Sequence, residues 1–215
     1  MAAPISRKRT QRLRRYWDKH ARTYDTQIAF WERRLFADGR QWVCSQATGE
    51  VLEVAIGTGR NLPHYPETVR LTGIEFSPAM LDIARRRADE LGLKADLRLG
   101  DAQALDLPDA SFDTVLCTLS LCAIPDDRQA VAEMRRVLRP GGRLLLLDHV
   151  AGAPRWVRAV QWLLERLTVP LQGEYLRRRP LRQVQAEGFE VERHERTKLG
   201  IVERLTARKP ANPPA

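Results

Sequence analysis

The stretch E-V-A-I-G-T-G-R-N-L, residues 53–62, decides the fold. It continues a short apolar run that begins at Val51 and stops at Gly57, the pattern of a buried strand followed by a turn. Gly57 and Gly59 permit a tight turn in which a ligand can approach bare backbone. A dinucleotide fingerprint would need a third small residue where Leu62 stands, because a pyrophosphate nestles against a closely packed helix N-terminus. That condition is not met, so the turn implies a nucleotide-like ligand of another kind.

Working outward, residues 71–74, 97–99, 114–117 and 144–147 repeat the short apolar form. Helix-period segments over 78–91 and 128–138 lie between them, so strand and helix alternate and the sheet is expected to be mostly parallel. After Pro154 an amphipathic helix carries Trp156, Val157, Val160, Leu163, Leu164 and Leu167, and a helical segment over 177–187 follows. Residues 189–196 and 201–209, separated by Gly200, predict a terminal hairpin. The expected fold is α/β, a Rossmann-like doubly wound sheet of seven strands, antiparallel only at its C-terminal hairpin, with helices on both faces. Upstream, Leu13, Tyr16, Trp17, Ala21 and Tyr24 share one helical face with a basic back, and residues 30–46 predict a second helix that Gly49 ends.

The 215 residues, 43% hydrophobic, suit one domain with terminal extensions. No apolar run approaches the roughly 18 residues that a membrane-spanning helix needs, and the polar N-terminus lacks the apolar region of a secretory signal. A cytoplasmic protein is expected. The net charge of +9 is concentrated at one end, where Arg7, Lys8, Arg9, Arg12, Arg14 and Arg15 precede any acid. Such a patch suits an anionic membrane surface, nucleic acid or an acidic partner, and a solvated arm is the bland alternative. Cys44, Cys117 and Cys122 are odd in number and without C-x-x-C spacing, so free buried thiols and no metal site are expected.

Three carboxylates give the turn its meaning. Glu53 lies at the first strand end, Glu75 ends the second strand about 20 residues after the turn, where an acid can accept from ribose hydroxyls, and Asp101 and Ala102 follow the third, where a carboxylate and a neighbouring N–H can read adenine. Together they converge on the carboxyl edge of a parallel sheet, where open α/β sheets bind ligands. The segments E-V-A-I-G-T-G-R-N (53–61), G-I-E-F-S-P-A-M-L (73–81), L-G-D-A-Q-A-L-D-L-P (99–108), S-F-D-T-V (111–115) and L-R-P-G-G-R-L-L-L-L-D-H-V (138–150) resemble, in this order, the motifs of class I S-adenosylmethionine-dependent methyltransferases with a type 11 domain. The resemblance covers residues 16–209. Within the class it is nearest to the alkyl-thiol methyltransferase-like, quinone C-methyltransferase and phosphatidylethanolamine N-methyltransferase groups, with C-T-L-S-L-C (117–122) and L-D-H-V (147–150) most like the first. Ala55 departs from the pattern, since many members have glycine there.

Composition and periodicity give a basic helical cap over 1–48 and a disordered tail over 210–215, and the resemblance implies a methyltransferase domain over 49–209 between them. It implies S-adenosylmethionine as cofactor, with S-adenosylhomocysteine as product, held by Tyr16, Tyr24, Glu53, Ala55, Gly57, Thr58, Gly59, Asn61, Glu75, Phe76, Ser77, Met80, Asp101, Ala102, Thr118 and Leu119. This ligand has no phosphate and needs only bare backbone and a carboxylate such as Glu53 beside its cationic groups. Tyr16, Trp17 and Tyr24 are expected either to fold over it as a lid or simply to pack the first helix.

Methyl transfer from a sulfonium is an in-line displacement helped chiefly by positioning. A base matters only for a protonated acceptor, and His149 is the candidate, with a purely structural histidine as the alternative. Cys117 and Cys122 sit among apolar neighbours that keep thiols protonated, so neither is expected to act as nucleophile. The helix after Pro154 is expected to line or cover the acceptor pocket. The acceptor is then a small lipophilic thiol, quinol or phenol, amine or phospholipid headgroup, and the basic N-terminus would aid peripheral contact with an anionic membrane. Two other readings stay open: an NAD-dependent oxidoreductase, and a silent nucleic-acid-binding or protein-binding module on the same fold. Nucleic acid is not the expected acceptor, and the sequence is silent on oligomeric state.

Overall fold

Strand residues Val51, Leu52 and Val54, Val115 to Cys117, and Leu144 to Leu147 are apolar whichever way they point, and the sheet they build is covered on both faces. The computed structural model describes residues 7–211, with side chains from residue 10 onward. Its seven strands are β1 (Glu50–Val54), β2 (Arg70–Glu75), β3 (Ala95–Leu99), β4 (Phe112–Thr118), β5 (Leu138–His149), β6 (Glu190–Thr197) and β7 (Val202–Arg208). They lie in the order β3-β2-β1-β4-β5-β7-β6. The first five run parallel, and β7 and β6 pair antiparallel at one edge. This is the Rossmann-like sheet with its C-terminal hairpin.

The strand period of two sorts side chains between the layers. Val51, Leu116 and Leu145 pack with Val43 and Cys44 of α2 (Gly39–Cys44) and Leu81, Ala84 and Ala88 of α3 (Pro78–Glu90). Leu52, Val54, Val115, Cys117, Leu144 and Leu146 pack with Ala130, Val131, Met134 and Val137 of α4 (Asp127–Val137) and with Val184 of α6 (Pro180–Ala186). Between α4 and α6 in the chain, α5 (Arg155–Gln172) buries only Val157 and Gln161. Among the described residues no helix is long and apolar enough to cross a membrane.

The helical cap departs from the expected pair of helices. α1 (Arg7–Trp31) runs on past Phe30 into a π-helical turn, Glu32–Phe36, and Ala37 at φ 45° separates that turn from α2. Two causes act together. Arg40 and Arg60 draw the Glu32 carboxylate inward, and Gly39 passes so close to Leu147 that a Cβ would lie 2.8 Å from its Cδ2. The helical segment expected over 177–187 is shorter, because Pro180 sets the first turn of α6. The expected tail over 210–215 lies mostly outside the described residues, as do the first residues of the cap.

Strand order reverses between β1 and β4, which makes their carboxyl ends a topological switch point. Both ends carry a non-glycine residue with positive φ, Ala55 at 56° and Leu119 at 53°. Such backbone costs an L-residue about 1–2 kcal/mol. Ala55→Gly is therefore expected to raise the free energy of unfolding in urea by about 1 kcal/mol; an unchanged or lower value would show that the turn is relaxed as it stands.

Candidate active site

A cavity of about 680 Å³ opens above the switch point. Its floor is made of residues that follow strand ends: Ala55 to Thr58 after β1, Phe76 after β2, Gly100 to Gln103 after β3, and Leu119 and Ser120 after β4. α1 supplies Tyr16, Trp17 and Tyr24, and α5 supplies Trp156, Val160 and Leu164.

The turn after β1 needs both glycines for different reasons. At Gly57, φ 61°, an added Cβ would meet nothing within 4 Å, so the backbone is bare toward the open space. At Gly59, φ 77°, a Cβ would press on Leu62 at 2.7 Å and on Ala84 of α3 at 3.2 Å. The chain then enters only a 3-10 turn, Leu62–His64, before β2. With no α-helix N-terminus there, a pyrophosphate has no seat of the dinucleotide kind.

The carboxylates are arranged in depth. Glu75 is buried; its Oε2 accepts from Gly57 N–H at 2.9 Å and its Oε1 from Ser77 N–H at 2.9 Å. Burial raises its pKa against these backbone bonds. With Phe76 N–H also bonded to the carboxylate, one lone pair remains for a hydroxyl. Asp101 accepts from Gln103 N–H and Nε2, both at 2.9 Å. Glu53, only 2% exposed, accepts from Asn61 Nδ2 and from the Tyr65 hydroxyl, each at 2.7 Å. Burial pushes its pKa up to about 7, against the opposing pull of Tyr65, Arg40 and Asn61. Asn61 also donates to Thr118 Oγ1 at 2.9 Å and accepts from Arg40 at 2.8 Å, linking β1, β4 and α2.

α1 lies over this end and is fastened by two acids. Asp18 accepts from Ser77 Oγ at 2.6 Å and Ala79 N–H at 3.3 Å, and Asp25 accepts from Thr58 Oγ1 at 2.6 Å and from Arg87. Tyr16 and Trp17 meet edge to face, as do Trp17 and Tyr24. They form an aromatic roof over the carboxylate-lined floor.

At the other end His149, the last residue of β5, holds Glu174 Oε1 at 2.8 Å from Nε2. Its Nδ1 is buried with no hydrogen-bond partner among the described residues. With Nε2–H donating to the carboxylate, Nδ1 carries a bare lone pair. Burial works against the imidazolium, but the bond to Glu174 and the charges of Asp148 and Glu174 outweigh it, and the pKa stands above the usual 6.5. Cys122 completes the cluster, its sulfur within 4.8 Å of the His149 and Glu174 donor atoms. Burial and the nearby Asp148 and Glu174 carboxylates push its thiol well up, so it stays protonated.

Residues 52–146 match the family model of the methyltransferase domain. These residues form a methyltransferase domain, and the match implies S-adenosylmethionine as its cofactor. Phosphatidylethanolamine N-methyltransferase of Cereibacter sphaeroides is 42% identical over 120 residues, 55% of this chain and 59% of that protein. Demethylmenaquinone methyltransferase of Deinococcus radiodurans is 40% identical over 121 residues, 55% of this chain and 48% of that protein. The chain thus spans about half the length of these curated relatives. A solved methyltransferase of Thermotoga maritima, described as a possible histamine N-methyltransferase, superposes at TM-score 0.70 with 20% identity over 92% of this chain and 99% of that one. That likeness is one of fold.

The residues of the domain fit S-adenosylmethionine. Gly57 leaves open room beside buried Glu75, the floor carries acids and bare backbone, and the roof is aromatic. Tyr16, Tyr24, Glu53, Ala55, Gly57, Thr58, Glu75, Phe76, Met80, Asp101, Ala102, Thr118 and Leu119 line the cavity, as does His149. Gly59, Asn61 and Ser77 stand behind its wall: Gly59 in the contact with α3, Asn61 in the Glu53 network, and Ser77 as the N-cap of α3, accepting from Met80 N–H at 3.3 Å. Reading the sequence missed Glu174, Arg40, Asp18 and Asp25 as site residues. A signal existed for the last two, because W-D at 17–18 and Y-D at 24–25 repeat at seven residues on one helical face. None existed for Glu174, 25 residues from its partner.

Glu53 is expected to give cofactor binding a pH dependence. A cationic ligand favours its ionised form, so binding below the pKa of about 7 must expel a proton. Calorimetric affinity for S-adenosylmethionine is expected to be flat above pH 7 and to fall by up to about tenfold per unit below it, and Glu53→Gln should abolish the slope; an equal slope in that variant would assign the proton elsewhere.

Proposed function

We propose that the protein transfers a methyl group to a protonated nucleophile on a small lipophilic acceptor: a thiol, a quinol or phenol, an amine, or a phospholipid headgroup. The observation that carries this reading is the single cavity that joins the acid-lined, glycine-floored end to an apolar end holding the His149–Glu174 pair. Bound at the first end, S-adenosylmethionine supplies a methyl group on a sulfonium. Gly57, Glu75 and Asp101 would hold its nucleoside and Glu53 would face its cationic part.

The protein's own residues do the rest. Nδ1 of His149 takes the acceptor proton, and Glu174 holds the ring by Nε2–H and stabilises the imidazolium that forms. Trp156, Val160 and Leu164 contribute apolar walls and help exclude water. An acceptor without a dissociable proton would have no use for the pair. The names of the two relatives, acting on phosphatidylethanolamine and on demethylmenaquinone, support an acceptor with a lipophilic body.

The test is a screen of labelled methyl transfer to thiols, quinols, phenols, amines and phosphatidylethanolamine, with titration of S-adenosylhomocysteine and NAD alongside. S-adenosylhomocysteine is expected to bind and NAD not. His149→Ala is expected to lower kcat about 10²–10⁴-fold with product affinity unchanged. Glu174→Gln leaves an acceptor for Nε2–H but removes the charge that helps raise the His149 pKa, so the acid limb of kcat should move to lower pH. Binding of NAD in place of S-adenosylhomocysteine would overturn the activity, and full rates in His149→Ala would remove the base.

A further inference from the structure

α5 is mounted with its apolar side outward. At 100° per residue, Ala159, Leu163, Trp156, Leu167, Val160, Leu171 and Leu164 fill a continuous arc of about 140°, and every one of them is exposed. Trp156, Leu163, Leu167 and Leu171 are 61–64% exposed. The opposite side is the one tied to the protein, and it is tied by a polar residue: Gln161 donates to Val150 O at 2.9 Å and Leu176 O at 3.0 Å and accepts from Gly152 N–H at 2.8 Å. An amphipathic helix of a globular protein ordinarily buries its apolar stripe. An apolar patch rimmed by polar residues marks an interaction surface.

The rim decides the occupant. Exposed Arg155 and Arg166 border the arc on one side, with Trp162 beside them and Arg166 stacked 4.1 Å above its ring. At the C-terminal end Arg12 of α1 donates to Pro170 O at 2.7 Å, and this contact brings the exposed Arg14 and Arg15 to the same end of α5. A cationic border around an apolar, tryptophan-bearing face complements an anionic bilayer, in which side chains enter the acyl boundary and arginines stay with the phosphates. A second copy of the chain would bring the same arginines against one another. Trp156, Val160 and Leu164 belong both to this face and to the cavity wall, so the mouth of the cavity opens on it.

We propose that α5 is the membrane-docking element, that it lies in the headgroup region of an anionic bilayer, and that the acceptor passes from the lipid into the cavity along Trp156, Val160 and Leu164. The passage of an acceptor rests on the functional reading above; the docking itself does not.

Leu163 and Leu167 lie on the exposed arc and do not line the cavity, so Leu163→Asp with Leu167→Asp tests the face and leaves the site intact. Flotation of the full chain with phosphatidylcholine vesicles, with and without phosphatidylglycerol, should show binding that needs the anionic lipid and weakens with salt. The double variant should bind about a hundredfold or more weakly, with unchanged circular dichroism and unchanged affinity for S-adenosylhomocysteine. Failure of the wild type to float, equal flotation of the double variant, or a wild-type dimer that the variant dissociates without any vesicle binding would each overturn the proposal. Loss of S-adenosylhomocysteine binding by a wild type that still floats would instead sink the methyltransferase activity alone.

Discussion

A carboxylate buried at the end of a central strand must be either neutralised or fully hydrogen-bonded, because removing its charge from water costs several kcal/mol. Glu53 meets that demand through Asn61 and Tyr65, and the demand propagates. Asn61 is held by Arg40, Arg40 by Glu32, and Glu32 by Arg60, so the turn after β1, the π-helical turn and α2 are fixed as one polar unit. The unit cannot relax without stranding a charge. Glu53 lines the cavity with Arg40 and Arg60 of the same unit, so the network that satisfies the buried acid also forms part of the wall.

The two ends of the cavity are built on different terms. The cofactor end uses backbone and strand-end acids at a switch point, positions fixed by the sheet itself. The other end, proposed for the acceptor, uses one strand-end histidine, a glutamate from the loop after α5 and apolar side chains from α5. The sheet thus fixes one end, while the other depends on a helix that makes few buried contacts.

The same division explains what could be read from the sequence. Strands announce themselves through apolar runs ended by glycine or acid, and Gly57, Glu75 and Asp101 are legible because their place relative to a strand end is local. Ala55 is a departure whose meaning is physical: the position requires positive φ, and alanine adopts it under strain. The break in the cap was not legible, since it depends on Arg60 reaching Glu32 across 28 residues and on Gly39 touching Leu147. Glu174 was hidden for the same reason. The apolar stripe of α5 was legible, but its direction was not, because periodicity gives the existence of a face and only packing says which side is turned inward.

The fastening of α1 has a mechanical consequence. Its aromatic roof and its two anchoring acids lie on one continuous helix, with Asp18 and Asp25 two turns apart. Because the two acids sit on one continuous helix, displacing α1 as a rod breaks both anchors together, and neither can be lost without loading the other.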